Sequence, residues 1–213
     1  MAKKTYTVSK KKSDKGIGEM IRLGLSLVCY AVISCTVLAI VNNFTAPKIK
    51  QNQIEKANIA MAAVFPQADN FEMIENFSPL TSTATMAVTD GYYAVKDGKI
   101  IGGVVQVTGP TYDKAKIIVG LNLDGTVSGV QILEISDSPG FGLKANQADF
   151  FVKDGKTFYG QFEGKNAYDG FKNGANFDSI SGATITSHGL GNMISEAVSV
   201  LFNEFEKANK GRL

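Results

Sequence analysis

Asp178-Ser179-Ile180-Ser181-Gly182-Ala183-Thr184-Ile185-Thr186-Ser187 runs without a break into an amphipathic C-terminal segment. Ser and Thr crowd the point where a 3.6-residue period begins, and Gly182 and Ala183 are too small to shield the backbone. The first N–H groups of a helix lack intrahelical acceptors and sit at the positive end of its dipole, so an open start of this kind suits a phosphate. A hydroxyl two residues past Thr184 could also bond to such an anion covalently. From the residues alone the stretch is either an anion site or a hydroxyl-rich N-cap that only starts a helix.

The apolar positions that follow, Leu190, Met193, Ile194, Ala197, Val198, Leu201, Phe202 and Phe205, recur at helical spacing, with Glu196, Asn203, Glu204 and Glu206 among the polar positions. Burying that stripe on a sheet would fix the helix start in space.

The spelling Ser-Gly-Ala-Thr-Ile-Thr at 181–186 resembles the S-G-A-T-x-T motif of membrane-anchored FMN-binding domains. These include the G subunit of the Rnf complex and the C subunit of the Na+-translocating NADH:quinone reductase. The resemblance implies FMN held as a phosphoester on Thr186, with Asp178, Ser181, Gly182, Ala183, Thr184 and Ile185 around it. It also implies a dedicated extracytoplasmic flavin transferase that uses FAD and Mg2+, moves the FMN moiety onto the threonine and releases AMP. The Thr186 hydroxyl is a weak nucleophile with no base beside it in the sequence, which is consistent with that need.

A second resemblance lies at Asp137-Ser138-Pro139-Gly140-Phe141-Gly142-Leu143, similar to the E-T-P-G-L-G loop that borders the flavin in the same family. Asp137 stands for Glu, Ser138 for Thr and Phe141 for Leu. Two glycines around one aromatic residue give a backbone that can approach a flat ligand. Ser138, Pro139, Gly140, Phe141, Gly142 and Leu143 are therefore expected cofactor contacts.

Leu23 to Val41 is a run of 19 residues without a charge, about 28 Å as a helix against a hydrocarbon core of about 30 Å. It reads as one transmembrane helix, longer than a signal-peptide core and without a small-residue cleavage site. Val32-Ile33-Ser34-Cys35 resembles a lipoprotein cleavage box, but the apolar run continues past the cysteine. Net charge is +2, residues 1–50 carry +7, and the remainder is therefore −5. Lys3, Lys4, Lys10, Lys11, Lys12, Lys15 and Arg22 precede the span, so the positive-inside rule puts the N-terminus in the cytoplasm and the rest outside. Basic residues beside a membrane and an acidic remainder argue against a nucleic-acid partner.

Beyond the span, Pro47 to about Ala63 has a helical pattern ended by Phe65-Pro66, and residues 67–85 read as loop with one short strand. Two hairpins follow: Tyr92–Val95 with Ile100–Val107 around Asp97-Gly98, and Ile117–Leu123 with Val127–Ile135 around Asp124-Gly125. Their likeness suggests a weak internal duplication. Asp90, Asp97, Asp124, Asp154 and Asp169 each precede glycine, outside any calcium-loop string, and read as turns. The aromatic set Phe150, Phe151, Phe158, Tyr159, Phe162, Tyr168 and Phe171 reads as core packing rather than flavin stacking.

Both cysteines, Cys29 and Cys35, lie in the span, so the outer part has no thiol chemistry, and His188, the only histidine, argues against histidine-rich metal sites and a Ser-His-Asp triad. His188 is expected at the surface or in a capping role.

The expected architecture is α+β: a basic cytoplasmic tail (1–19), a transmembrane helix (20–43), a connecting helix and loop (44–85) and an FMN-binding domain (86–213) of antiparallel hairpins packed on helices. The resemblance implies an electron relay in a prokaryotic cell membrane, bound to lipid and to the other subunits of an Rnf-type ferredoxin:NAD+ oxidoreductase that moves Na+ or H+. The quinone reductase C subunits are usually longer, so length favours Rnf. Two other readings stay open: a non-redox tethered scaffold, and an anchored flavoprotein serving a different extracytoplasmic reductase.

Overall fold

The computed structural model describes residues 11–75, 77, 84–168 and 170–210. Residues 1–10 of the expected tail, residues 76 and 78–83 of the expected loop and the Asp169 turn lie outside the described residues. The chain divides into two compact units, Met1–Gln53 and Ile54–Leu213.

One helix, α1 (Lys11–Val64), replaces the two helices expected on either side of Thr45, and Pro47 lies inside it. Proline there removes one backbone donor, which the flanking turns tolerate. In the first unit the large apolar side chains of the span, such as Leu23, Leu27 and Leu38, are all exposed. The hydroxyls of Ser26, Thr36 and Thr45 donate to the carbonyls of Arg22, Val32 and Val41 at 2.9, 2.7 and 2.7 Å. Back-bonding of this kind satisfies a polar group without water, so it does not bar a helix from lipid.

The second unit is built on a five-stranded antiparallel sheet in the order β1-β2-β3-β4-β5. The strands are β1 (Asn70–Met73), β2 (Ala87–Lys96), β3 (Lys99–Pro110), β4 (Lys114–Asn122) and β5 (Val127–Ile135). Both hairpins form where expected. Asp97 and Gly98 take φ of 51° and 70° in the first turn, the left-handed pair that a two-residue hairpin needs. A further hairpin, β6 (Phe151–Lys153) and β7 (Lys156–Thr157), turns at Asp154-Gly155.

Asp90-Gly91 is not a turn but part of β2, beside a bulge. The Asp90 carboxylate accepts from Thr89 at 2.9 Å and from Gln106 at 3.1 Å, and a Cβ on Gly91 would come within 2.6 Å of the Phe77 ring. Local bonding and close packing account for the pair without a change of direction.

Both faces of the sheet are covered, which is why β3 and β4 read as almost continuous apolar runs. On one face Ala60, Met61, Val64 and Phe65 pack with Ala94, Val104 and Ile118. On the other, α2 (Thr184–Lys210) buries Leu190, Met193, Ile194, Ala197, Val198 and Leu201 with Val105, Val107, Ile117, Val119 and Leu121. The adjacent pair Gly102 and Gly103 serves one face each: a side chain on Gly102 would meet Phe65 at 2.6 Å, and one on Gly103 would meet Leu201 at 2.7 Å.

Phe158, Phe162 and Phe171, joined by Phe177, form an edge-to-face and tilted cluster with centroids 5.2–6.1 Å apart, in line with the core reading. Phe151 and Tyr168 are exposed instead, Tyr168 stacking on Phe202 at 4.7 Å. Glu196 and Glu204, expected on the polar side of the helix, are buried. Glu204 achieves this by accepting from the Lys207 ammonium at 2.6 Å, one turn on, which offsets part of the cost of burying its charge.

Gly189 sets how closely α2 approaches the sheet. A Cβ there would lie 2.5 Å from the Pro110 carbonyl oxygen and 2.9 Å from the Thr111 Cα, both backbone atoms that cannot step aside. Gly189→Ala is expected to lower stability by about 1–3 kcal/mol, the usual cost of overpacking, despite alanine's better helix propensity. Thermal and denaturant unfolding check this; an unchanged or raised midpoint would contradict the close approach.

Candidate functional site

Three segments meet at the N-terminus of α2. The loop after β5 brings Asp137 to Gly142, the β3–β4 turn brings Thr111, Tyr112 and Asp113, and the 178–187 stretch brings Thr186. Between them lies a cleft of about 510 Å³, lined by Tyr112, Asp137, Ser138, Pro139, Phe141 and Gly142 on one side and by residues 182–186 on the other.

The turn that opens α2 is held by its own residues. Ala183 N–H donates to the Ile180 carbonyl at 2.9 Å, and Ser187 N–H donates to the Ala183 carbonyl at 3.0 Å, so the helix begins at Thr184. The Ser187 hydroxyl, fully buried, accepts from Ile180 N–H and donates to the Ala183 carbonyl, both at 3.0 Å. Gly182 has φ of +79°, a conformation that favours glycine. The hydroxyls of the two buried residues at the helix start do not cap its first turn: Ser187 stitches the loop, and Thr186 points to Asp137.

Asp137 is only 4% exposed, and its carboxylate receives four donors. The Thr111 hydroxyl donates at 2.6 Å, Asp113 N–H at 2.9 Å and Tyr112 N–H at 3.3 Å. The fourth is the hydroxyl of Thr186, itself 2% exposed. Burial pushes the Asp137 pKa up, but the hydrogen bonds from Thr111, Thr186, Asp113 and Tyr112 together outweigh it and hold the carboxyl below its ordinary 3.8. The site therefore contains an anion at neutral pH, donor-saturated and in contact with the threonine oxygen.

Gly142 covers this pair. A side chain there would come within 2.5 Å of the Asp137 carboxylate and collide with the Thr186 hydroxyl. Tyr112, Phe141 and Ile185, large apolar side chains on the cleft, are 69%, 57% and 62% exposed, so a planar apolar ligand would find walls there that the fold leaves uncovered.

Of the residues anticipated from sequence, Ser138, Pro139, Phe141, Gly142, Gly182, Ala183, Thr184, Ile185 and Thr186 line this cleft, whereas Gly140, Leu143, Ser181 and Asp178 do not. Gly140 shapes the loop, with φ of +81°. Leu143 N–H donates to the Ser138 carbonyl at 3.4 Å. Asp178 faces a separate hollow with Lys153, Lys165 and Gln161, pairing with the Lys153 ammonium at 3.4 Å. Its backbone is clamped by the Gln161 amide, which accepts from Asp178 N–H at 2.8 Å and donates to its carbonyl at 3.1 Å. His188 is exposed beside Thr184 and Ile185 in a neighbouring hollow.

Two side chains that line the cleft, Asp137 and Tyr112, were not among the contacts expected from the sequence. No acidic side chain adjoins Thr186 in sequence, yet Asp137, 49 positions away, accepts a hydrogen bond from its hydroxyl; the acidic position of the 137–143 loop was the available signal. Tyr112 carried no signal, because its place follows from the β3–β4 pairing.

Residues 111–199 match the FMN-binding domain family, and residues 15–64 match the RnfG N-terminal region. The chain is 27% identical to the G subunit of the Na+-translocating ferredoxin:NAD+ oxidoreductase complex of Acetobacterium woodii, over 85% of this chain and 91% of that one. It is 29% identical to the G subunit of the proton-translocating ferredoxin:NAD+ oxidoreductase complex of Clostridium ljungdahlii, over 88% and 94%. For the G subunit of the ion-translocating oxidoreductase complex of Shewanella oneidensis the identity is 29%, over 84% and 88%. This chain belongs to the family of Rnf G subunits.

Membership of the Rnf G family, with its FMN-binding domain, sets a test for the cleft. It passes: the volume is within the range of about 300–1,000 Å³ usual for cofactor sites, the first-turn N–H groups suit a phosphate, and apolar walls suit a flat ring. The span in α1 is long and apolar enough to cross a bilayer and, in a chain of this family, places the protein at a membrane.

Because the folded-state pKa of Asp137 is depressed, its contribution to stability is fully present above 3.8 and is lost as pH falls through the lowered value. Asp137→Asn is expected to reduce stability at pH 7 and to flatten the fall of the melting temperature below about pH 4. Parallel acid limbs in the two chains would show that the carboxylate is not held this way.

Proposed function

We propose that this chain is a membrane-anchored electron-transfer subunit of an Rnf-type ferredoxin:NAD+ oxidoreductase complex, carrying FMN as a phosphoester on Thr186. One observation carries the site assignment. Thr186, in the first turn of α2, lines the cleft, and its hydroxyl proton is held by a buried carboxylate.

In this reading Thr186 anchors the phosphate, and the N–H groups at the start of α2 stabilise its charge. Tyr112, Phe141 and Ile185 offer apolar surface to the ring, and Gly142 leaves room for the loop to close on the pair. FMN, when bound, supplies one- or two-electron transfer, and the protein tunes it through burial and fixed dipoles. A covalent link prevents its loss on the outer face of the membrane. The subunit relays electrons to and from neighbouring redox centres and has no substrate chemistry of its own.

The segments assign as a cytoplasmic tail (1–19), a single membrane pass (20–43), a connector (44–85) and an extracytoplasmic FMN-binding domain (86–213), oriented by the basic residues before the span. Partners are the other members of the complex, membrane lipid and, during maturation, a flavin transferase. The relatives' names divide between sodium and proton as the translocated ion, and the reading takes either.

The test is mass spectrometry of the chain purified from a host with the transferase, beside Thr186→Val. Peptides spanning 178–187 are expected to carry FMN less one water in the wild type and nothing in the variant. Unmodified wild type, with the transferase active on another target, would refute the covalent carrier.

A further inference from the structure

We propose that Asp137 is the general base of the chain's own flavinylation: its carboxylate takes the proton from the Thr186 hydroxyl as that oxygen attacks the flavin phosphate. The inference rests on the covalent reading above and adds a catalytic group supplied by the acceptor protein rather than by the transferase.

The geometry asks for such a role. Thr186 is buried, and its hydroxyl proton is already directed to Asp137 Oδ2. Fixing the proton leaves the oxygen's other lone pair for whatever enters the cleft that Thr186 lines. Three further donors from the β3–β4 turn hold the carboxylate still, so nucleophile and base stay in register without help from a partner. The same donors keep Asp137 deprotonated at neutral pH, and a base must be empty to accept. A weakly basic carboxylate acts late, when the forming bond to phosphorus has made the hydroxyl proton acidic.

The step balances with a flavin adenine dinucleotide donor presented by the transferase. A bond forms between Thr186 Oγ1 and the phosphorus on the flavin side, and the pyrophosphate P–O bond breaks, releasing AMP. The hydroxyl proton passes to Asp137, and no electrons are transferred. A purely structural carboxylate would need only to accept hydrogen bonds. Asparagine could do much of that, but its amide would donate to Thr186 and turn the hydroxyl proton away.

The experiment follows single-turnover attachment on full-length, flavin-free chain in detergent, with purified transferase, FAD and Mg2+. It is read as flavin fluorescence of the denatured band and as the mass of the 178–187 peptide. Asp137→Asn, folded by circular dichroism, should slow attachment by about 100-fold or more. Asp137→Glu should recover much of the rate, and formate should raise the rate of Asp137→Ala, since a free carboxylate can replace a base but not a strut. A folded asparagine chain modified at the wild-type rate would overturn the proposal and leave the covalent carrier standing. So would equal loss in Asn and Glu with no response of Ala to formate. Should the asparagine chain not fold, the glutamate and formate results decide. Wild type without the Thr186 adduct would sink both readings.

Discussion

The carboxylate of Asp137 ties together two turns that lie far apart in the chain. It accepts from Thr111, Tyr112 and Asp113 between β3 and β4, and from Thr186 in the first turn of α2. Taking a carboxylate out of water costs several kcal/mol, and hydrogen bonds to a charged group return about 1.5–3 kcal/mol each. Four donors are enough to win, and the lowered pKa records the outcome. Losing one partner leaves a buried charge short of donors, so the turn, the loop over it and the threonine are positioned together.

That junction can exist only because the sheet and α2 are already close. Gly189 lets the start of α2 touch the backbone at Pro110 and Thr111, and Gly142 lets the 138–142 loop lie directly on Asp137 and Thr186. The buried stripe from Leu190 to Leu201 fixes the rest of the helix. Packing energy spread over the helix thus becomes precise placement of one hydroxyl at its first turn. Tyr112, Phe141 and Ile185 are not used by that scaffold and stay exposed on the cleft.

Much of this was legible in the sequence because the signals were local. Asp97-Gly98 and Asp124-Gly125 marked the hairpins, the helical spacing after Ser187 marked α2, and the α+β class followed. What the sequence hid depends on contacts between distant segments. Asp90-Gly91 has the form of a turn, but Gln106 and Phe77 make it part of a strand. The span and the pattern from Pro47 to about Ala63 read as two helices, but one helix runs through both. Glu196 and Glu204 looked solvent-facing, yet both are buried. Asp178, the first residue of the motif, faces away from the cleft, whereas Asp137, 49 residues from Thr186, completes it.

The central claim is that an ester joins this threonine oxygen to a flavin phosphate. Phosphorus NMR of the mature protein, unfolded and freed of small molecules, reads that bond directly. A phosphodiester resonance that stays with the unfolded chain is the predicted result. A monoester resonance that leaves with the small-molecule fraction would mean that the flavin is bound without a covalent link, and would contradict the account.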